Sequence, residues 1–248
     1  VVELTIRELS VRFSGSYGGL AWGLLSPLFQ CAIYGVVFGM ILRIPAPAGV
    51  PGGYAMFLLA GWLPWMGFAD SLQQGSAAIT QNGHLIKKMQ FPAETLVVSR
   101  ILAALILQGF GLVALTFILG FSQDVWPRLP YAVLAFSLQF LVLLGPVLAL
   151  SAISVFFRDV FQILPTALTA LLYLTPVLYP ESQVPRRLAP VLLWSPMRDT
   201  LGLFRAAFLH SEPPPASRLL LQALLFLGVA AAGIWLFRKS RPSFADVI

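Results

Sequence analysis

The chain has 248 residues and a formal net charge of +6, and it is 58% hydrophobic with only 10% charged residues. An ordinary soluble domain carries about 25% charged residues, so this balance excludes a water-soluble fold and leaves no room for a separate soluble domain. In a soluble protein the basic excess would suggest nucleic acid. Here Lys and Arg are expected in loops on one side of a membrane, against anionic lipid head groups, and no nucleic-acid partner is expected.

Residues 1–14 are too polar for the hydrocarbon core. Val2, Ile6, Leu9 and Phe13 recur at helical spacing, with Glu3, Arg7, Ser10 and Ser14 on the adjoining stripe, which predicts an amphipathic helix lying in the membrane surface. The alternation over residues 9–14 also reads as a strand, but a strand here has no evident partner. Six charge-poor apolar stretches then follow. A run of about 20 apolar residues is what a helix needs to cross roughly 30 Å of hydrocarbon, and in lipid the backbone must bond to itself, so such runs become helices.

The first span is predicted near Tyr17–Leu42. It is too long for a signal-peptide core, and no small-residue cleavage site follows it. Pro45, Pro47 and Pro51 with Gly49, Gly52 and Gly53 make the next stretch a turn-forming loop. The second span starts near Tyr54 and ends in the mid-seventies. A polar segment at 80–96 leads to a third span near Val98–Phe121, a short loop, and a fourth near Tyr131–Phe156. The tight charged connection Arg158–Asp159 precedes a fifth at about Phe161–Leu178. Residues 179–218 are proline-rich and broken by arginines, and their apolar pieces are too short to cross. A half-inserted helical hairpin is the expectation there. Span six covers Leu219–Phe237, before a basic tail.

The expected fold is therefore all-α, one polytopic domain over 1–248 with six transmembrane helices, an amino-terminal interfacial helix and a half-inserted hairpin before the last span. An even number of spans puts both termini on one side. That side holds Arg7, Arg12, Lys87, Lys88, Arg100, Arg158, Arg238, Lys239 and Arg241, and the positive-inside rule makes it cytosolic. The arginines within 179–218 count the other way, but that segment is long and partly folded.

Catalytic and metal signatures are missing. No phosphate-binding G-x-x-x-x-G-K-[ST] loop or H-E-x-x-H motif occurs, His84 and His210 lie far apart, and the lone Cys31 sits in the first apolar run. No catalytic residue, metal site or cofactor is expected in this chain. Asp70 is the one acid that falls inside a span. A buried carboxylate is a functional candidate because its burial is costly, or else it reaches water or a nearby base at the span's edge.

Several pieces in order carry more information: Arg7–Glu8–Leu9–Ser10–Val11–Arg12–Phe13, Leu20–Ala21–Trp22, Leu59–Ala60–Gly61–Trp62–Leu63–Pro64–Trp65, Leu85–Ile86–Lys87–Lys88 with Phe91–Pro92 and Glu94, Phe156–Phe157–Arg158–Asp159–Val160, Pro176–Val177–Leu178–Tyr179–Pro180, and the closing Phe244–Ala245–Asp246–Val247–Ile248. Together they resemble the membrane subunit of type 2 ABC exporters, in the branch that exports lipid-linked polysaccharides such as O antigens and teichoic acids. The chain departs from that pattern at Ser14, Ser195 and Gly202, the last standing where an acid commonly precedes the arginine that is Arg205 here.

The resemblance implies a homodimer in the bacterial cytoplasmic (inner) membrane, joined by two copies of a separate nucleotide-binding ATPase. ATP and Mg would sit on that partner, and membrane lipids and a lipid-linked glycan would meet this chain. It also implies an ATPase-coupling segment at His84, Leu85, Lys87, Lys88, Phe91, Pro92 and Glu94, where lysines and an apolar knob could dock into a groove. The plain alternative is a cytosolic loop whose lysines face lipid. Arg158 and Asp159 would be a second contact, or a local ion pair helping a tight turn. Tyr34, Phe38, Phe57, Trp62, Trp65 and Phe68, with Asp70, would line a pathway in which ring faces meet sugar C–H groups weakly and repeatedly. Ordinary helix packing and an interfacial belt, to which Tyr54 is assigned, explain the rings equally simply. Tyr179, Pro180, Arg186, Arg187, Trp194, Arg198 and Arg205 would form an outward gate for an acidic cargo, or a rigid lid. Teichoic-acid, capsule, drug and lipid exporters are the near alternatives, and an ion-coupled carrier or channel using Asp70 is the distant one.

Overall fold

The computed structural model describes residues 1–13, 21–45, 49–50, 53–83, 92–118, 126–185, 187, 189–192 and 195–247. Among them the chain is helical, with no strand. The helices are α1 (Val2–Phe13), α2 (Ala21–Tyr34, running on as a π-helix over Gly35–Ile41), α3 (Gly53–Ser76), the single turn α4 (Ala78–Gln81), α5 (Glu94–Ile118), α6 (Leu129–Phe156), α7 (Val160–Leu174), the short α8 (Ala189–Leu192), α9 (Arg198–Phe208), α10 (Ala216–Ser240) and the terminal turn α11 (Phe244–Val247).

Among the described residues, three helical stretches are long and apolar enough to cross a bilayer: Glu94–Phe117, Trp126–Phe156 and Ala216–Ser243. The chain is thus a multi-pass membrane protein. Helix α3 is comparably long at 24 residues, but Gly, Pro, Gln and Tyr dilute it. Helix α7 is apolar and has only 15 residues. It stops four residues before the Leu178 expected from hydropathy, because Thr175 precedes Pro176. A residue before proline is pushed out of the helical region, and Thr175 lies at φ −100° and ψ 138°.

Close approach of α6 and α10 is set by glycines. A Cβ on Gly233 would stand 2.3 Å from the Gly145 carbonyl oxygen, and one on Gly145 would stand 2.4 Å from that of Val229. Small residues let helix backbones touch where no hydrophobic force drives association within lipid. A polar clasp ties α3, α5 and α6 together. Gln108 and Gln139 exchange reciprocal amide hydrogen bonds at 2.9 and 2.8 Å, and Gln139 Nε2 also donates to the Pro64 carbonyl at 3.0 Å. Gly67 makes room, since its Cβ would fall 1.9 Å from Gln108 Oε1. Each amide is satisfied, as burial requires.

On α1, Val2, Ile6 and Val11 are exposed, while Leu4, Thr5, Glu8 and Leu9 turn towards the protein. Two ion pairs set which side turns inward. Glu8 meets Arg100 at 2.9 Å, and Arg12 forms a forked pair with Asp70 at 2.5 and 3.0 Å. Bidentate arginine–carboxylate geometry is directional, so it fixes the helix face where a mild apolar stripe would not.

Candidate functional site

The two ends of the bundle carry the polar chemistry. At one end, α7 breaks at Thr175–Tyr179 inside an apolar surrounding, which leaves backbone carbonyls that need donors. One stripe of α3 supplies the answer. Tyr54, Phe57 and Gly61 follow at i, i+3 and i+7, the spacing of one helix face. Tyr54 Oη donates to the Leu178 carbonyl at 2.6 Å. Arg205 Nη2, reaching in from α9, donates to the Val177 carbonyl at 3.1 Å. Its guanidinium carbon lies 3.9 Å from the centre of the Phe57 ring, a cation–π contact. Gly61 is the floor, for a Cβ there would be 2.9 Å from Arg205 Nη2 and 3.0 Å from the Val177 oxygen. Thr175 and Ser195 share a 2.7 Å hydroxyl contact, which ties the broken turn to the start of α9.

Arg205 is 8% exposed, and its Nε has no hydrogen-bond partner among the described residues. Burial pushes the guanidinium down to about 10, against the opposing fields of Glu181 and Tyr54, so it stays protonated at neutral pH. Around it the outer arginines are paired. Arg198 grips Glu181 with two hydrogen bonds of 2.9 and 2.5 Å, and Arg218 pairs with Asp199. Burial alone would raise the Glu181 carboxyl. The hydrogen bond and charge of Arg198, with Arg218 and Arg205 behind it, outweigh burial and hold it below its ordinary value. Arg128 Nη1 donates to the Ala206 carbonyl at 3.3 Å.

This geometry changes two expectations. Tyr54 is not an interfacial belt residue. Its ring is buried and its hydroxyl satisfies a turn carbonyl. Arg205 does not face outwards towards a cargo but lies inside the protein, while Arg187 is exposed and Arg198 is partly buried on Glu181. Pro180 is buried, and Tyr179 donates its hydroxyl to the Tyr173 carbonyl at 2.7 Å. Arg186 and Trp194 lie outside the described residues.

The rings expected on a pathway are buried inside this one chain: Phe57, Trp62, Trp65 and Phe68 belong to its core, with Trp65 and Phe68 5.4 Å apart. Phe38 is half-buried, 6.3 Å from the Tyr54 ring, and the Tyr34 side chain lies outside the described residues. Asp70 is taken by Arg12 and borders a cleft of about 170 Å³ with Trp22, Met66 and Gln108.

The outward faces of two helices differ. On α7 only Leu168 is buried. Gln162, Thr166, Ala167, Thr169 and Ala170 are exposed, and so are the larger Ile163, Tyr173 and Leu174. On α10 the exposed side chains are mainly Leu220, Leu221, Leu224, Leu225 and Leu227, followed by Ala231, Ala232 and Trp235 and by Arg238 and Lys239 at its end. The second is a face for lipid. The first sets amide, hydroxyl and small side chains among Ile163, Tyr173 and Leu174, and such polar and small groups in a membrane turn towards protein or water.

At the opposite end, Glu94 opens α5 and lies 3.6 Å from Arg241 and 3.9 Å from Arg238. Arg158 and Asp159 are exposed in the turn between α6 and α7, with no side-chain pairing between them, and the Gln162 and Ile163 amides bond to the Asp159 carbonyl at 3.0 Å. Pro92 is exposed, and its carbonyl accepts the Thr95 hydroxyl at 2.7 Å. His84, Leu85, Lys87, Lys88 and Phe91 lie outside the described residues. Sequence reasoning missed Gly61, the Gln108–Gln139 clasp and the Arg218–Asp199 pair. Only Gly61 left a readable signal, its place on the Tyr54–Phe57 stripe.

Comparison with known proteins agrees with this architecture. The chain is similar to the O-antigen export system permease protein RfbA of Myxococcus xanthus, 31% identical over 254 residues that cover 100% of this chain and 95% of that protein. An RfbA of Klebsiella pneumoniae is 24% identical over 260 residues, covering 100% and 94%. The polysialic acid transport protein KpsM of Escherichia coli is 24% identical over 241 residues, covering 96% and 92%. Residues 1–209 match the model of the ABC-2 type transporters, and the chain belongs to that family.

Proposed function

We propose that this chain is the membrane-spanning, non-catalytic half of an ATP-driven exporter that moves a lipid-linked polysaccharide, O antigen above all, outwards across the bacterial cytoplasmic membrane. Two copies line one pathway, each with six membrane-crossing segments: α2 with its π-helical extension, α3, α5, α6, α7 and α10. Helix α1 lies along the membrane surface, and α8 and α9 form the half-inserted hairpin. Two copies of a separate ATPase bind ATP and Mg at the Glu94 end.

The observation that carries the conduit is the outward face of α7. Its glutamine, threonines and small residues, set among Ile163, Tyr173 and Leu174, suit a second copy and a hydrated path better than the leucine face of α10 does, and the core position of Trp62 and Trp65 leaves it the better lining. The cargo class comes from the printed functions of the relatives. Orientation has support in the use of charge. Arg198, Arg205, Arg218 and Arg128 are engaged within the protein, while at the other end Arg12 and Arg100 pair with Asp70 and Glu8 and Arg7, Arg158, Arg238, Lys239 and Arg241 are exposed. That end, with both described termini, is cytosolic by the positive-inside rule. An ion-coupled carrier loses its best proton group, since Asp70 already holds Arg12.

The test is a double substitution, Lys87→Ala with Lys88→Ala, in the complex purified with its native ATPase. ATP hydrolysis continues while export of glycolipid into vesicles is lost. Wild-type export by that variant removes the docking assignment. Uphill transport by vesicles holding this chain alone removes the whole reading.

A further inference from the structure

The tail beyond α10 lies outside residues 1–209, the part that matches the family, yet it holds one of the most deeply buried rings in the molecule. A 3-10 turn at Arg241–Ser243 leads into α11, which has only four residues. A helix that short does not hold itself in water; its place must come from what it touches. Phe244 is 0% exposed, edge-on to Phe237 with centres 5.4 Å apart, and 6.2 Å from the Phe156 ring. Just before it, Arg241 faces Glu94, and Arg238 faces the other oxygen of the same carboxylate.

The two residues the tail reaches are not arbitrary. Glu94 is the first residue of α5 and the last of the segment expected to couple to the ATPase. Phe156 is the last residue of α6, directly before Arg158–Asp159, the second expected contact. One strand of tail therefore touches the root of both. The ion contacts, at 3.6 and 3.9 Å with Arg238 largely exposed, are longer than hydrogen bonds and yield readily to water and salt. The close-packed ring does not yield in that way.

We infer that the carboxy-terminal tail is a strap between the roots of the two ATPase-facing segments: Phe244, packed on Phe156 and Phe237, anchors it at the end of α6, and Arg238 and Arg241 carry it to Glu94 at the start of α5, so that the two roots move as a single body. Phe244 is a positioning residue. It touches neither cargo nor nucleotide, and it acts by stopping a push on one segment from being lost in movement against the other. The inference rests on the reading that both segments face the ATPase.

The experiment uses the full complex in vesicles loaded with native lipid-linked glycan, and reads glycan exported per ATP hydrolysed. Phe244→Ala lowers that yield severalfold while the complex assembles and hydrolyses ATP, and Phe244→Leu restores most of it. Arg241→Gln, which changes only the tail side of the ion contact, gives a smaller fall. Wild-type yield per ATP in Phe244→Ala overturns the strap, as does a loss that only follows the amount of protein in the membrane. Should Phe244→Ala not accumulate, Arg241→Gln decides, with an unchanged yield overturning the strap. The Lys87→Ala, Lys88→Ala variant, measured alongside, separates the two ideas. Normal export there removes the coupling reading, whereas normal yield in the tail variants alone removes only the strap.

Discussion

The Tyr54 end and the Glu94 end both carry arginines and use them in opposite ways. At the Tyr54 end, Arg205 is sunk against a carbonyl and a ring, and Arg198 and Arg218 are closed on Glu181 and Asp199. At the Glu94 end, Arg12 and Arg100 are paired with Asp70 and Glu8, but Arg238 and Arg241 meet Glu94 only at 3.9 and 3.6 Å and, like Arg158 and Lys239, remain exposed. Counting basic residues along a chain treats these as equal. A guanidinium that caps a broken helix is part of the fold, while one exposed at the surface can also meet head groups or a partner. The Tyr54 end is thus built for a fixed arrangement, and the Glu94 end for contact.

The contrast is sharpest at Gly61. Gly61→Val drives side-chain atoms into Arg205 and the Val177 carbonyl, both already held, and should destabilise by about 1–3 kcal/mol, seen as a lowered unfolding temperature in detergent. Wild-type stability would show that the Tyr54 end is looser than its packing. Tyr54→Phe removes one buried hydrogen bond and leaves the Leu178 carbonyl without its donor, a loss of about 1 kcal/mol, read by the same melt. Asp70→Asn breaks the forked pair to Arg12. Both groups are partly exposed, so the loss stays under about 1 kcal/mol and shrinks with added salt. A salt-independent loss would mean that α1 is docked by more than charge.

The smallest effect is in pH. The folded Glu181 carboxyl lies below its ordinary value of 4.5, so its stabilising contact with Arg198 is complete above that value. The contact is lost as pH falls through the lower, folded value, because the unfolded chain then binds the proton more readily. Thermal unfolding between neutral and strongly acidic pH checks this. A folded state that gains stability on acidification through that window would reverse the sign.

How much could be read beforehand varies with the kind of interaction. Helices α6 and α10 were plain in the sequence because uninterrupted apolar runs leave lipid as the only solvent. The early end of α7 was written in Thr175–Pro176, a local rule that hydropathy averaging hides. The partner of Asp70 was not legible, since Arg12 lies 58 positions away and only the docking of α1 brings them together. Arg205 misled for a related reason: an arginine in a proline-rich, irregular segment looks like surface, and nothing nearby in the chain announces the carbonyl it serves.

By itself the sequence determined the solvent, the helical class and the places where helices had to stop, because hydrophobic burial and proline geometry act on neighbouring residues. It also carried the family, through short pieces kept in order. The tertiary structure alone decided which arginines are buried, which face of α1 turns inward, and that Phe244 reaches both Phe156 and Phe237. Those outcomes depend on distances between helices far apart along the chain, and such distances exist only once glycine contacts, the amide clasp and ion pairs have drawn the bundle together.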